Sequence, residues 1–226
     1  MAGLGGKNWS FEEEVTSSDV NGYLADQVVM RFADTATRTA GFGGAGEPTL
    51  AEGMVSYLDD ANRVDFYNGS AWKPVSQILQ LVSTTKTDTF STSSTTYTDA
   101  TGLSVSITPS ATSSKVFVIA TIHATVNNLG YLYLQLVRGS TAIAVGDVRG
   151  SRIQASTVGN SNQDFTWFPH ITYLDSPSTT SATTYKIQIK TGPSTGTAYI
   201  NRGVSDTDNT TYFTTVSSIT AIEVAG

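Results

Sequence analysis

The chain has 226 residues, no cysteine, a formal charge of −6 and a pI near 4.8. That excludes a disulfide scaffold and any cysteine-ligated metal, and it provides no clustered Lys/Arg surface of the kind that phosphate backbones require. Charged residues make up 14% of the chain, against about 25% in typical globular domains; serine and threonine fill the gap, alternating with Val, Ile, Phe and Tyr as half-exposed strands do.

No apolar run is long enough for a membrane span. Met1–Glu14 has neither the apolar stretch nor the cleavage site of a signal peptide. The sequons at Asn68-Gly69-Ser70 and Asn209-Thr210-Thr211 therefore read as turns rather than glycosylation sites. Neither membrane insertion nor nucleic-acid binding is expected.

Residues 1–16 are glycine-rich and then aromatic and acidic. Trp9 and Phe11 are costly to leave in water, so the arm is expected to dock on a partner. Ser18-Asp19 is a candidate N-cap. Val20, Tyr23, Leu24, Val28, Arg31 and Phe32 follow at helical spacing, which predicts one short helix. Regular structure is expected to break over residues 33–51. There Gly41-Phe42-Gly43-Gly44-Ala45-Gly46 matches GxGxxG in letters only. No buried strand leads in, and Glu47-Pro48 follows where a phosphate-binding helix should start; the stretch reads as a glycine hinge.

Residues 52–76 read as a small aromatic meander. Met54–Leu58 and Val64–Tyr67 alternate around Asp59-Asp60-Ala61-Asn62. Asn68-Gly69 signals a type I′ hairpin turn, which requires positive φ at both central residues. Ala71–Lys73 forms a third strand. Met54, Tyr57, Phe66, Tyr67 and Trp72 are its candidate packing residues, expected to meet symmetry mates in a collar.

From residue 77 onward the pattern is strand, turn, strand. Alternation marks Thr84–Phe90, Thr95–Thr98, Leu103–Ile107, Val116–Val126, Tyr131–Arg138, Thr141–Val145, Asp164–Leu174 (interrupted by Pro169), Tyr185–Lys190, Ala198–Arg202 and Thr215–Val224. Gly139-Ser140 is a two-residue turn, and Arg149–Ser161 is a polar loop with room for one short strand. About eight to ten short strands without a helical pattern predict an antiparallel β-sandwich of jelly-roll type. Val116–Ile122 is apolar on both faces, which one sandwich core does not explain; symmetric association is the usual way to bury a second face. The last strand runs nearly to the C-terminus, so attachment is expected at the N-terminus.

No chemistry stands out. His123 and His170 lack a second His at ligand spacing and read as structural. There is no GxSxG elbow. Asp206-Thr207-Asp208-Asn209 lacks the glycine and terminal Glu of an EF-hand and reads as a turn. No cofactor, metal or catalytic residue is expected. Asn160, Asn162, Asp164 and Trp167 set amide and carboxylate groups beside an aromatic ring, a combination suited to sugar hydroxyls and apolar sugar faces.

Two stretches carry a family resemblance. WSFEEEVTSSDVNGYLADQVVMRFADTATRTAG followed by PTLAEGMVSYLDDANRVDFYNGSAWKPV resembles the N-terminal module of tailed-bacteriophage virion proteins. VSTTKTDTFSTSSTTYTDATGLSVSITPSATSSKVFV resembles the C-terminal β domain of phage fibre-like proteins. The latter likeness continues through LQLVRGSTAIAVGD, GSRIQAS, ITYLDSPSTTSATTYKIQIKT and YINRG. The resemblance implies an anchor over 1–51, a collar over 52–76 and a β knob over 77–226. It further implies a non-enzymatic, homotrimeric, surface-exposed virion protein made in the host cytoplasm. Trp9, Phe11, Val20, Leu24 and Val28 would then dock on tail, neck or capsid proteins. The knob would be a short tail fibre contacting a host glycan or protein. The alternatives are a capsid decoration or head/neck fibre protein and, more distantly, a glycan-degrading knob. No heptad or Gly-X-Y repeat is present, so the fibre would have no long shaft.

Overall fold

A computed structural model describes residues 29–44, 49–128, 130–160, 168–193 and 196–226. It divides into two compact units after Gln77, and each is described by itself.

In the first unit, β1 (Met30–Phe32), β2 (Val55–Leu58), β3 (Arg63–Tyr67) and β4 (Trp72–Pro74) form one sheet in chain order. Arg31 and Phe32, expected on a helix, instead pair in parallel with Tyr57 and Leu58; long-range pairing outweighs a local helical stripe. The preceding part of the expected helix lies outside the described residues. The expected break contains a helix, α1 (Thr35–Ala40), whose N-cap Asp34 accepts a 2.7 Å bond from the Thr37 amide. This is the usual satisfaction of an orphan helical donor. The β3–β4 turn also differs from expectation: Asn68 and Ala71 pair across it, and only Gly69 has positive φ, at 89°. The Asn68 carboxamide oxygen accepts from the amides of Ser70 and Ala71. That shifts the turn's centre onto Gly69-Ser70.

The core of this unit is polar as well as apolar. Leu58, Ser56, Asp65 and Arg38 are all buried. Arg38 Nη1 donates to Asp65 Oδ2 at 2.6 Å and to Ser56 Oγ at 3.1 Å, and Arg63 Nε donates to Asp65 Oδ1 at 2.9 Å. The Arg38 guanidinium lies 4.6 Å from the Trp72 ring centre, a cation–π distance. Rings continue from Trp72 to Tyr67 on one side and to Phe42 and Phe32 on the other.

The second unit is the expected β-sandwich. Its strands are β5 (Ile78–Lys86), β6 (Phe90–Thr92), β7 (Thr98–Ile107), β8 (Lys115–Thr121), β9 (Ala124–Val126), β10 (Tyr131–Arg138), β11 (Thr141–Ile143), β12 (Thr157–Asn160), β13 (His170–Asp175), β14 (Thr183–Thr191), β15 (Ala198–Ile200) and β16 (Ser217–Val224). A front sheet runs β13-β8-β16-β5. A back sheet runs β11-β10-β14-β7, with β12 also on β10. A short sheet runs β6-β15-β9. The antiparallel pairings are nested: β5 with β16, β7 with β14, β8 with β13, β10 with β11 and β12. One long hairpin rolled into two sheets in this way is a jelly roll.

Alternation builds the core. Val116, Val118 and Ala120 on β8, Ile219 and Ala221 on β16, Leu132, Leu134 and Leu136 on β10, and Tyr185, Ile187 and Ile189 on β14 are buried between the sheets. β7 bulges at Gly102, where φ is +86°, a conformation open to glycine. The two inward carboxylates, Asp175 and Glu223, are both partnered. Asp175 accepts from Arg138 Nη1 at 2.9 Å and from the Tyr185 hydroxyl at 2.6 Å. This ties β13 of the front sheet to β10 and β14 of the back sheet. Glu223 accepts from the amide and hydroxyl of Ser110 at 2.7 and 2.6 Å.

Candidate functional site

The two outward faces of the sandwich differ in kind. On the front sheet, register aligns Leu174 with Phe117, Phe117 with Ile222, and Ile222 with Leu81. One apolar row therefore crosses all four strands. Leu81 is 60% exposed and Leu174 56%; Phe117 and Ile222 are half-buried. Val224, opposite Ile78, extends the patch toward the end where the chain enters the sandwich. The next row on this face is Thr172, Ile119, Thr220 and Ser83. There the Ser83 and Thr220 hydroxyls share a 2.8 Å bond. The face grades from apolar to polar along the strands.

β16 shows why. Its inward positions are Ser217, Ile219, Ala221 and Glu223, and its outward ones Ser218, Thr220, Ile222 and Val224. At its C-terminal end the usual polarity is inverted: the carboxylate goes in and the aliphatics go out. A contiguous apolar patch on a sheet face marks an interaction surface, whereas scattered apolar residues do not.

The back sheet's outward face is polar and aromatic. Gln135 Nε2 donates to Gln188 Oε1 at 2.7 Å, Gln188 Nε2 to Asp99 Oδ1 at 2.7 Å, and Lys186 Nζ to Asp99 Oδ2 at 2.8 Å. Lys186, and then Gln188, hold the Asp99 carboxyl below its ordinary range. Further along the same strands, Lys190 Nζ lies 4.7 Å from the Tyr97 ring centre and 5.6 Å from that of Tyr133. Tyr131 stands 6.5 Å from Tyr133 and is 48% exposed. Burial, and then the neighbouring Tyr133, push the Tyr97 phenol up to about 12; its hydroxyl donates to the Gln154 carbonyl at 2.7 Å.

Of the residues marked in the sequence for glycan contact, Asn160 is exposed at the end of β12, directly across from Tyr131. Asn162, Asp164 and Trp167 lie outside the described residues, as do the docking candidates Trp9, Phe11, Val20, Leu24 and Val28. In the first unit, Tyr67 and Trp72 pack on each other at 5.5 Å. The Tyr57 hydroxyl bonds Asn62. Met54 Sδ accepts from the Ala51 amide, and Phe66 is half-buried opposite Val55.

The histidines sit apart. His170 is exposed on β13. The His123 ring meets Phe168 edge-on at 4.6 Å, and burial lowers its pKa. The Asp206–Asn209 loop closes a turn in which Asn209 Oδ1 accepts from the Thr211 amide at 2.9 Å. With Tyr212 and Phe213 it lines an open cavity of about 340 Å³. Arg202 pairs with Asp206 at 2.7 Å. Among the described residues, no group of three or more His, Asp or Glu could hold a metal, and no helix is long and apolar enough to cross a membrane.

Sequence reading missed the Arg38–Asp65 pair, the Asp175 cluster and the Lys190–tyrosine cluster. Each joins residues distant in the chain.

No protein-family model matches the chain, and no curated protein matches it. One solved structure to which it is similar is that of infectious bursal disease virus, Gx strain. The identity is 11%, over 70% of this chain and 45% of that one, at a TM-score of 0.34. So loose an overlap transfers neither a fold nor a role. Jelly rolls serve viral capsids, lectins and cupins alike, so the fold alone does not select a function.

Proposed function

We propose that this is a non-enzymatic virion structural protein of tailed-phage type. In this reading it is a short homotrimeric fibre, attached through its N-terminal segment, whose jelly-roll knob contacts the host surface. The observation that supports this most is the apolar row Leu174–Phe117–Ile222–Leu81 on the front sheet. Each large aliphatic or aromatic side chain removed from water contributes about 1.5–3 kcal/mol. A closed symmetric assembly buries the same row in every copy. The trimeric count and the virion setting come from the resemblance of residues 9–41 and 48–75 to tailed-phage virion proteins and of separate segments within 82–203 to phage fibre-like proteins.

Gold-labelled antibody against the chain, applied to purified virions under the electron microscope, tests the reading. Label on the tail is expected. Label on capsid or neck replaces a fibre with a decoration protein, and absence from virions overturns the proposal.

A further inference from the structure

The back sheet carries a feature that the structural role does not use. Of its two outward lysines on β14, Lys186 is neutralised by Asp99 at 2.8 Å. Lys190 has no carboxylate within ion-pair distance among the described residues; it is held instead between the rings of Tyr97 and Tyr133. In a chain of net charge −6, an ordered, outward, unneutralised ammonium is conspicuous. Ring faces attract the cation but accept few of its hydrogen bonds, so ammonium donors are left for an incoming anion. Beside this cation, Tyr131 offers a half-exposed ring, and Asn160, across from it in register, offers an amide. All but Tyr97 belong to paired strands, so the groups are held before any ligand arrives.

We propose that Lys190, Tyr133, Tyr131, Tyr97 and Asn160 form a binding site for an acidic saccharide. The sugar carboxylate meets the Lys190 ammonium. The apolar face of the ring lies on Tyr131, and Asn160 bonds a hydroxyl. A single cation on an acidic protein suits one carboxylate per sugar unit and not a polyphosphate chain. The placement rests on the reading above, in which the back sheet faces outward while the front sheet packs against other copies.

Isothermal titration of the full chain with an oligogalacturonate and with sialyllactose tests the site, with a neutral maltooligosaccharide as control. At least one acidic probe is expected to bind and the neutral one not to bind. Lys190→Gln should weaken binding by about tenfold or more, as loss of a charge-assisted bond does. Tyr131→Ala should weaken it by removing the stacking face. Unchanged melting temperature and molar mass in both variants would show that the fold is intact. Absence of binding by both acidic probes at millimolar concentration, equal binding of the neutral one, or indifference to Lys190→Gln would overturn the site. Molar mass by light scattering separates the two proposals: a trimer that binds neither acid sinks only the site, and a monomer that binds sinks only the assembly.

Discussion

The two outward faces of the jelly roll come from the same rule of alternation and end up opposite in character. On the front sheet the outward positions of β8, β13, β16 and β5 carry Phe117, Leu174, Ile222 and Leu81. On the back sheet the outward positions of β10, β14 and β7 carry glutamine, lysine and aspartate, joined by short hydrogen bonds, with tyrosines at one end. Where Gln135, Gln188, Lys186 and Asp99 bond one another, the back sheet needs no cover. A sheet that leaves four large apolar side chains in a row is finished only when something covers it.

The contrast is broken most forcefully by Phe117→Asp. A carboxylate in the centre of the apolar row would be desolvated on assembly, and the expected outcome is loss of the oligomer with the sandwich still folded. Light scattering and circular dichroism together read both halves of that outcome. A comparable charge change on the back face, Asp99→Asn, should leave the oligomer untouched and alter stability by no more than about 1 kcal/mol, because exposed ion pairs contribute little.

A second test asks whether the faces belong to one body. Asp175 is buried and bonds residues of the back sheet from the edge of the front one. Asp175→Ala strands the Arg138 cation and the Tyr185 hydroxyl, and should cost about 3–5 kcal/mol. A lower urea midpoint with an unchanged slope is expected. A loss below about 1 kcal/mol would mean that the cross-sheet cluster does not hold the layers together.

The smallest effect concerns Tyr97. Its folded pKa, about 12, exceeds the ordinary value of 10. The unfolded chain therefore releases this proton first as pH rises. The stabilisation is complete below about pH 10 and is lost as pH rises through about 12. Tyr97→Phe should remove part of that alkaline slope. In a 295 nm titration it should remove one late-ionising phenol from the ten tyrosines; removal of an early one would contradict the packed Tyr97.

Strand positions in the sandwich were largely legible, since Tyr131–Arg138 and Thr215–Val224 alternate cleanly and Gly139-Ser140 marks its own turn. Their partners were not. The row on the front sheet exists because β8 pairs with both β13 and β16 in particular registers, and register is set by the whole nested hairpin. Val116–Ile122 did announce a second apolar face, but Leu174 and Leu81 gave no sign of sharing it. In the first unit, Thr35–Ala40 has no apolar period. It holds as a helix through the Asp34 cap and the Arg38–Asp65 pair, which joins residues 27 positions apart. Arg31 and Phe32 fit a helical stripe and went to a strand for the same non-local reason. Of the residues marked for glycan contact, only Asn160 falls among the described residues, opposite Tyr131, while Lys190, a lone cation in an alternating strand, had nothing local to distinguish it.

The central claim is that the front-sheet row is a subunit interface. Light scattering of the full-length chain, with Phe117→Asp run beside it, tests this most directly. The account predicts three times the 23.9 kDa chain mass for the native chain and a single chain mass for the variant. A native chain that is monomeric at micromolar concentration, or a variant that assembles as the native one does, would contradict it.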